Sequence, residues 1–203
     1  ACNSASAYSL TTLRIRCRIP IVGLVPAVKP ACEMSQTRQI ALLATQATLQ
    51  GQLLAQVIHE VATSKGVTVH KHFEPMLVPW VESGMPINHH VADLLIKQTQ
   101  AWYQQGVDIL VLGCTHYPFF RQFLQDWIDE QHITMTLLDS GAAIAPRVKS
   151  LLACFGISAD GDVLDEPLTF YASDLTDNVP ATARRLSQVP ISFVDGNFLP
   201  INV

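Results

Sequence analysis

This 203-residue sequence has neither a strong excess of positive or negative charge nor a long run of apolar residues. It carries 13 Lys and Arg against 17 Asp and Glu, a formal net charge of −4. Nucleic-acid binding needs a basic stripe facing the phosphates, and no such stripe is present. No apolar run approaches the length of a membrane span, and no secretory signal pattern is visible. We therefore expect a cytoplasmic protein that contacts neither nucleic acid nor a membrane.

Cysteine, histidine and lysine patterns exclude further classes. Five cysteines without any C-x-x-C spacing fit neither a disulfide framework nor a zinc ribbon, which indicates a reducing compartment. His70 and His72 could share one face of a strand, but no third ligand is evident, so we predict an exposed strand end and no metal site. No lysine lies in the context of a Schiff base with a phosphate-binding turn, which argues against a pyridoxal-phosphate enzyme.

Strand and helix patterns alternate along the chain, and an apolar content of 49% is ample for a core. Aliphatic runs between turn signals predict strands at residues 21–25, 39–44, 67–73, 108–112, 134–138, 168–172 and 191–194. Helical patterns occupy residues 4–16, 49–64, 86–105, 119–130, 142–155 and 180–187. The polar stretch 158–166 indicates a loop. This alternation predicts an α/β fold with mostly parallel sheets, whose ligands bind outside the carboxyl ends of the strands.

Two cysteines stand in a repeated context. Gly113-Cys114-Thr115-His116 follows an apolar strand pattern, and Ala1-Cys2-Asn3-Ser4 precedes a helical one. A cysteine that enters a helix meets unpaired N–H groups and a positive dipole end, and both favour thiolate over thiol. Two such thiols that face one substrate could act as an acid and a base.

The residues after each cysteine follow the same order of helix, strand and small-residue turn, which indicates an internal duplication. We predict two similar lobes with the active site in the cleft between them. One lobe comprises residues 28–137, and the other comprises residues 1–27 and 138–203. Because a strand should precede Cys2, we expect this first lobe to be incomplete at its amino-terminal end.

Six segments, in order along the chain, resemble the glutamate racemases of the Asp/Glu racemase superfamily. The segment Leu112-Gly-Cys-Thr-His-Tyr-Pro118 is the most specific of them. The others are Ala1-Cys-Asn-Ser-Ala-Ser6, Val22-Gly-Leu-Val-Pro-Ala27, Leu43-Ala-Thr-Gln-Ala-Thr48, Leu77-Val-Pro-Trp-Val-Glu82 and Asp139-Ser-Gly-Ala-Ala143. The family's Asp-Ser-Gly turn and Tyr-Gly loop, which precede the first cysteine, have no counterpart here.

The resemblance implies an isomerase that interconverts L- and D-glutamate without a cofactor and supplies D-glutamate for peptidoglycan, with a homodimer as one possible assembly. Cys2 and Cys114 would be the two catalytic bases, assisted by His116 and Glu82. Further residues would bind substrate or line its pocket: Asn3, Ser4, Thr45, Thr48, Thr115 and His116. Ser4 stands where threonine is commoner in the family, a change that keeps the hydroxyl.

Other interpretations stay open. Thr45, Thr48 and His116 could be helix caps, and Glu82 taken alone could be a surface carboxylate. The remaining cysteines fit small buried hydrophobic side chains, and they are Cys17, Cys32 and Cys154. At the level of function, the alternatives are an inactive protein that still binds glutamate, and a racemase of the same superfamily that acts on another amino acid.

Overall fold

The computed structural model describes residues 2–157, 168–172, 175–176, 178–187 and 190–195. The helices are α1 (Asn3–Arg16), α2 (Val28–Met34), α3 (Gln46–Gln50), α4 (Gln52–Val57), α5 (Leu77–Glu82), α6 (His90–Gln104), α7 (Arg121–Glu130), α8 (Gly141–Cys154) and α9 (Asn178–Leu186). The strands are β1 (Gln39–Leu43), β2 (Thr68–His72), β3 (Ile109–Leu112), β4 (Thr136–Asp139), β5 (Leu168–Ala172) and β6 (Ile191–Asp195). The α/β class predicted from the sequence is confirmed.

Four strands form a parallel sheet in the order β2-β1-β3-β4. After β1 the chain moves outward to β2, and after β3 it moves outward in the opposite direction to β4. The connections that follow β1 and β3 therefore diverge, and they leave a crevice at the carboxyl ends of these two central strands. Cys114 follows β3 and Thr45 follows β1, so the sheet topology places both beside this crevice.

Both faces of this sheet are covered, as a parallel sheet requires. Along β3, Leu110 and Leu112 belong to a core on the side of α5, α6 and α7, whereas Ile109 and Val111 face α2 and α4. All four side chains are almost wholly buried. The alternation follows from the two-residue period of a strand, and it makes β3 a rigid support for whatever follows its last residue.

A second, two-stranded parallel sheet is formed by β5 and β6. Helix α9 lies between these strands in the sequence, and its Leu186 packs against the core that contains Trp80 and Val81 of α5. Helix α9 therefore contacts the core on the side of α5.

The predicted strand at residues 21–25 is wrong. This segment has no assigned secondary structure and pairs with no strand among the described residues, because side chains take its backbone groups instead. The N–H of Leu24 donates to Ser6 Oγ at 2.9 Å, and the carbonyl of Val25 accepts from Ser140 Oγ at 2.9 Å. The proposed repeat of helix and strand after each cysteine is therefore not complete in the first half.

Other differences are smaller. The helix predicted at residues 49–64 is divided at Gly51 and ends in a π-helical turn (Ile58–Ala62) and a 3-10 turn (Thr63–Lys65). Helices α2 and α5 were not predicted. The loop expected at residues 158–166 lies outside the described residues, and the division into two lobes stays a prediction. None of the helices in the described part of the chain combines the length and the apolar character that a membrane span requires.

Candidate active site at the carboxyl edge of the parallel sheet

A cavity of about 180 Å³ opens where β3 and β4 end. This volume is far above the roughly 10–15 Å³ that a single water molecule needs, so the cavity can admit a small metabolite. The side chains that matter for its chemistry are those of Asn3, Leu24, Cys114, Thr115, Asp139 and Ser140. They come from four distant parts of the sequence, and the parallel sheet brings them together.

Cys114 lies two residues beyond the end of β3 and is buried, with 8% of its surface exposed. Burial raises the pKa of its thiol above the ordinary value, because a thiolate loses its water there. The backbone N–H groups of His116 and Thr115 act in the opposite direction, and negative charge on Cys2 raises the pKa further. The N–H groups of the turn therefore favour the thiolate at Cys114, as expected from the sequence, but desolvation outweighs them and the pKa is raised.

His116 connects Cys114 to a carboxylate. Its Nδ1 lies 3.9 Å from the Cys114 Sγ, and its Nε2 lies 3.0 Å from Glu82 Oε1. Glu82 is the last residue of α5 and is exposed, whereas His116 is half-buried. Three side chains that the sequence separates by up to 34 positions thus form a continuous chain from thiol to imidazole to carboxylate, a geometry in which a proton can leave or reach the sulfur.

Cys2 occupies the N-cap position of α1 and is half-buried. The next residue, Asn3, is buried, and its Nδ2 donates to the carbonyl of Gly113 at 2.7 Å. This hydrogen bond joins two residues that are 110 positions apart, and it thereby connects the two cysteine turns. Because negative charge on Cys2 also influences the Cys114 thiol, the two sulfurs lie within electrostatic range of one another.

Three hydroxyl groups form a small cluster between α1 and the turn after β1. Ser4 Oγ lies 2.8 Å from Thr45 Oγ1 and 3.3 Å from Thr48 Oγ1, and the two threonine hydroxyls are 3.0 Å apart. Thr45 also caps α3, because its hydroxyl accepts from the N–H of Thr48 at 3.3 Å. The cap interpretation is confirmed for Thr45, and the same contacts fix α1 to the sheet.

Two cavity residues received no role from the sequence. Asp139 ends β4 and accepts from Arg121 Nη1 at 2.6 Å and from the N–H of Gly141 at 2.8 Å. Ser140 is buried and donates to Val25, as described above. The available signal was their position directly after a predicted strand, at the edge where parallel strands place their ligands.

The remaining candidates lie elsewhere. His70 Nε2 is 2.8 Å from Gln39 Oε1 and the His72 ring packs edge-on against Trp102, so both are half-buried and the predicted exposed strand end is wrong. Among the described side chains, no group of three His, Cys, Asp or Glu is placed to hold a metal ion. Of the other cysteines, only Cys32 is buried as expected: Cys17 is half-buried and Cys154 is exposed.

Comparison with known proteins agrees with this geometry. The family profile of Asp/Glu/hydantoin racemases matches residues 1–148. A glutamate racemase of Deinococcus radiodurans is 41% identical over 186 residues, which are 92% of this chain and 61% of that protein. A glutamate racemase of Pseudomonas syringae pv. tomato is 34% identical over 190 residues, 93% of this chain and 66% of that protein. The chain thus spans about three fifths to two thirds of the length of these relatives.

Solved structures match over most of the chain. Escherichia coli glutamate racemase in complex with L-glutamate and the activator UDP-MurNAc-ala aligns with a TM-score of 0.73 and 27% identity, covering 95% of this chain and 71% of that one. A Francisella tularensis glutamate racemase in complex with D-glutamate aligns with a TM-score of 0.71 at 21% identity, covering 96% and 71%, and is evidence for the fold alone. With the family profile matched over residues 1–148, the chain belongs to the Asp/Glu/hydantoin racemase family.

Proposed function

We propose that the protein containing this chain interconverts L- and D-glutamate by a two-base mechanism in which Cys2 and Cys114 carry the protons. The observation that carries this proposal is the Asn3–Gly113 hydrogen bond of 2.7 Å, which holds the two cysteine turns together beside one cavity. The named relatives support glutamate as the substrate, since two of them are glutamate racemases at 41% and 34% identity and a structural neighbour was solved with L-glutamate.

The chemistry calls for two bases. Inversion of an amino-acid stereocentre removes the α-proton from one face and returns a proton to the opposite face, which one fixed base cannot do. In one direction the Cys114 thiolate takes the α-proton and becomes a thiol, while the Cys2 thiol gives its proton to the other face and becomes a thiolate. In the other direction the roles are exchanged. A thiol with a pKa near 8.5 suits both roles close to neutral pH, so no cofactor is needed in this scheme.

The His116–Glu82 pair addresses the raised pKa of Cys114. A buried thiol resists ionisation, and an imidazole 3.9 Å from its sulfur can accept the proton. Glu82 Oε1, 3.0 Å from Nε2, stabilises the imidazolium that forms. We therefore assign His116 and Glu82 to the proton path of Cys114.

Polar groups that line the cavity, together with the hydroxyl cluster beside Asn3, would bind the amino and carboxyl groups of glutamate. The proposed substrate-binding residues are Asn3, Ser4, Thr45, Thr48 and Thr115. Hydroxyl and amide groups that are already held in place stabilise the charge that develops during proton removal, because they need no reorganisation when the substrate reacts. The hydrogen bonds of Ser4 with Thr45 and Thr48 support such a fixed arrangement.

The test uses the protein as its gene encodes it, with circular dichroism of D-glutamate as the assay. Cys2→Ala and Cys114→Ala should each lower turnover by at least about 100-fold, because each removes one proton carrier. Cys154→Ala is the matched control, since this thiol is exposed at the end of α8, away from the cavity. Normal turnover in either of the first two variants would contradict the two-base mechanism.

Solvent deuterium distinguishes two bases from one. With separate bases, product formed early in deuterated water carries deuterium at the α-carbon while the remaining substrate stays largely protiated. Equal labelling of both enantiomers from the first turnover would favour a single base that serves both faces.

Two alternatives have distinct outcomes in the same assays. An inactive protein would bind glutamate in a calorimeter without changing its optical rotation, and a racemase for another amino acid would show turnover with that substrate only. Supply of D-glutamate to peptidoglycan and a homodimeric assembly stay part of the proposal. A reducing compartment such as the cytoplasm is supported by the five free cysteines, because the mechanism needs both catalytic thiols reduced.

A further inference from the structure

Glu82 is held from two sides. Its carboxylate contacts His116, as described above, and its backbone carbonyl accepts a hydrogen bond from Nη2 of Arg185, a residue of α9 that lies 103 positions away. The guanidinium also covers Gly84: a Cβ added at this glycine would lie 3.7 Å from Cζ, Nε and Nη1 of Arg185. The side chain of Arg185 therefore covers the carboxyl end of α5.

The carbonyl groups at the carboxyl end of α5 explain why a donor from another helix stabilises this end. The last carbonyls of a helix have no partner within the helix and need other donors. Those of Pro79, Trp80 and Val81 receive the N–H groups of residues 83, 85 and 84 at 2.9, 2.9 and 3.0 Å. Gly84, at φ +97°, makes the tight turn that allows this. The carbonyl of Glu82 takes no part in this local set, and Arg185 supplies its donor.

Arg185 is itself placed by the neighbouring residues of α9. Leu186 is half-buried and packs against the core that includes Trp80 and Val81, which anchors the helix beside α5. Arg184 has different surroundings, since its Cζ lies 6.0 Å from the centre of the Phe193 ring on β6. Two adjacent arginines therefore have separate contacts, which provides a natural control.

From these contacts we infer that Arg185 is a positioning residue for Glu82: by holding the carbonyl at the end of α5 it fixes the carboxylate within hydrogen-bonding distance of His116. The inference rests on the proposed function, because the position of the Glu82 carboxylate affects turnover only if His116 exchanges a proton with Cys114. It links α9, which belongs to the region of the second sheet, to the proton path on the first sheet. A displacement of about 1 Å at such a group can lower a rate substantially, even when the change is remote from the reacting atoms.

The experiment compares Arg185→Met, Arg185→Lys and Arg184→Met in the full gene product. Met keeps the aliphatic length beside Gly84 but removes every donor, whereas Lys keeps one charged donor. We expect Arg185→Met to lower kcat roughly tenfold with little change in KM, because ground-state binding is untouched. Arg185→Lys should recover part of this loss, and Arg184→Met should behave as wild type. Normal kcat in Arg185→Met would overturn the inference.

A second arm separates positioning from a general loss of structure. If Arg185 acts through Glu82, then Arg185→Met should have no further effect on kcat in a Glu82→Ala background, which lacks the positioned side chain, whereas independent effects would multiply. A tenfold loss in both backgrounds would show that Arg185 acts elsewhere and would overturn the inference.

A third readout does not depend on activity. Replacement of Arg185 by Met should change the ¹⁵N chemical shift of His116 Nε2, because the contact with Glu82 Oε1 is weakened, and Arg184→Met should leave it unchanged. If the wild-type protein fails to racemise glutamate, the proposed function is wrong. The positioning role is still decided by this shift, and an unchanged His116 signal would overturn it.

Discussion

The hydrogen bond from Asn3 to Gly113 offers the sharpest test of how the two cysteine turns are held together. Asn3 is 3% exposed, and its amide donates to the Gly113 carbonyl at 2.7 Å. Asn3→Ala removes the donor and leaves a buried carbonyl without it, a loss that costs about 1–3 kcal/mol. The Oδ1 atom of Asn3 is buried and has no hydrogen-bond partner among the described residues, which destabilises the folded state. Asn3→Ala removes this atom as well, and this offsets part of the loss. We therefore expect the lower half of this range, about 1–2 kcal/mol.

The loss should be visible in equilibrium unfolding. For a chain of about 200 residues, about 1–2 kcal/mol corresponds to a decrease of roughly 2–8 °C in Tm. Urea unfolding followed by far-ultraviolet circular dichroism should show a lower midpoint at an unchanged slope, because the surface exposed on unfolding is the same. Asn88→Ala is the control, since Asn88 is exposed and surface substitutions usually lie within about 0.5 kcal/mol of wild type.

The same hydrogen bond could instead stabilise only the docking of α1, so that its loss causes local rather than global unfolding. If Asn3 secures only α1, the global midpoint changes little, but amide hydrogen exchange in α1 becomes faster than in β3. Either result supports the connection between the two turns. A variant that matches wild type in both the unfolding midpoint and the exchange of α1 would refute it, and the turns would then be aligned by other contacts.

Three further predictions concern two buried groups, Cys114 and Tyr117. Burial raises the pKa of Cys114, so iodoacetamide should alkylate this thiol at half the maximal rate only at a higher pH than it needs for an exposed thiol in a short reference peptide. An equal or lower midpoint pH would contradict the burial effect. The same raised pKa means that ionisation of Cys114 favours unfolding: its contribution to stability is complete below the pKa of the unfolded chain and is lost as the pH rises through the folded value. Tyr117 is fully buried, and its hydroxyl has no hydrogen-bond partner among the described residues. Tyr117→Phe should therefore leave the free energy of unfolding unchanged or raise it by about 1 kcal/mol. A clear decrease measured by chemical denaturation would mean that the hydroxyl has a partner.

The sequence was sufficient to predict the central sheet and the site edge. Aliphatic runs such as residues 109–112 are buried on both faces, and this pattern is typical of a parallel strand. The position of Cys114 just after such a run then follows from the rule that ligands bind at the carboxyl ends. These features could be predicted because local patterns determine them.

The errors have a common physical origin. Residues 21–25 have the composition of a strand, but Ser6 and Ser140 take their backbone groups, and no local pattern reveals side chains that are distant in sequence. Helices α2 and α5 were missed because each is short and contains a proline, Pro30 and Pro79, which a first helical turn tolerates. The direction of the Cys114 pKa depends on burial, and burial is a property of the folded chain rather than of the turn that carries the thiol.

The two thiols of the proposed mechanism are supported in different ways, and this difference explains which part of the site was hardest to predict. Cys114 is placed by β3, whose neighbours on both sides are paired strands. Cys2 is placed by a helix cap, and α1 reaches the sheet through Asn3 to Gly113 and through Ser4 to Thr45. The partners in these two contacts are 110 and 41 residues apart, so no periodicity in the sequence encodes them. The placement of the Cys2 thiol relative to Cys114 therefore relies on side-chain hydrogen bonds as well as on the packing of α1 against α3 and α4, and the proposed reaction should be sensitive to substitutions at Asn3 and Ser4.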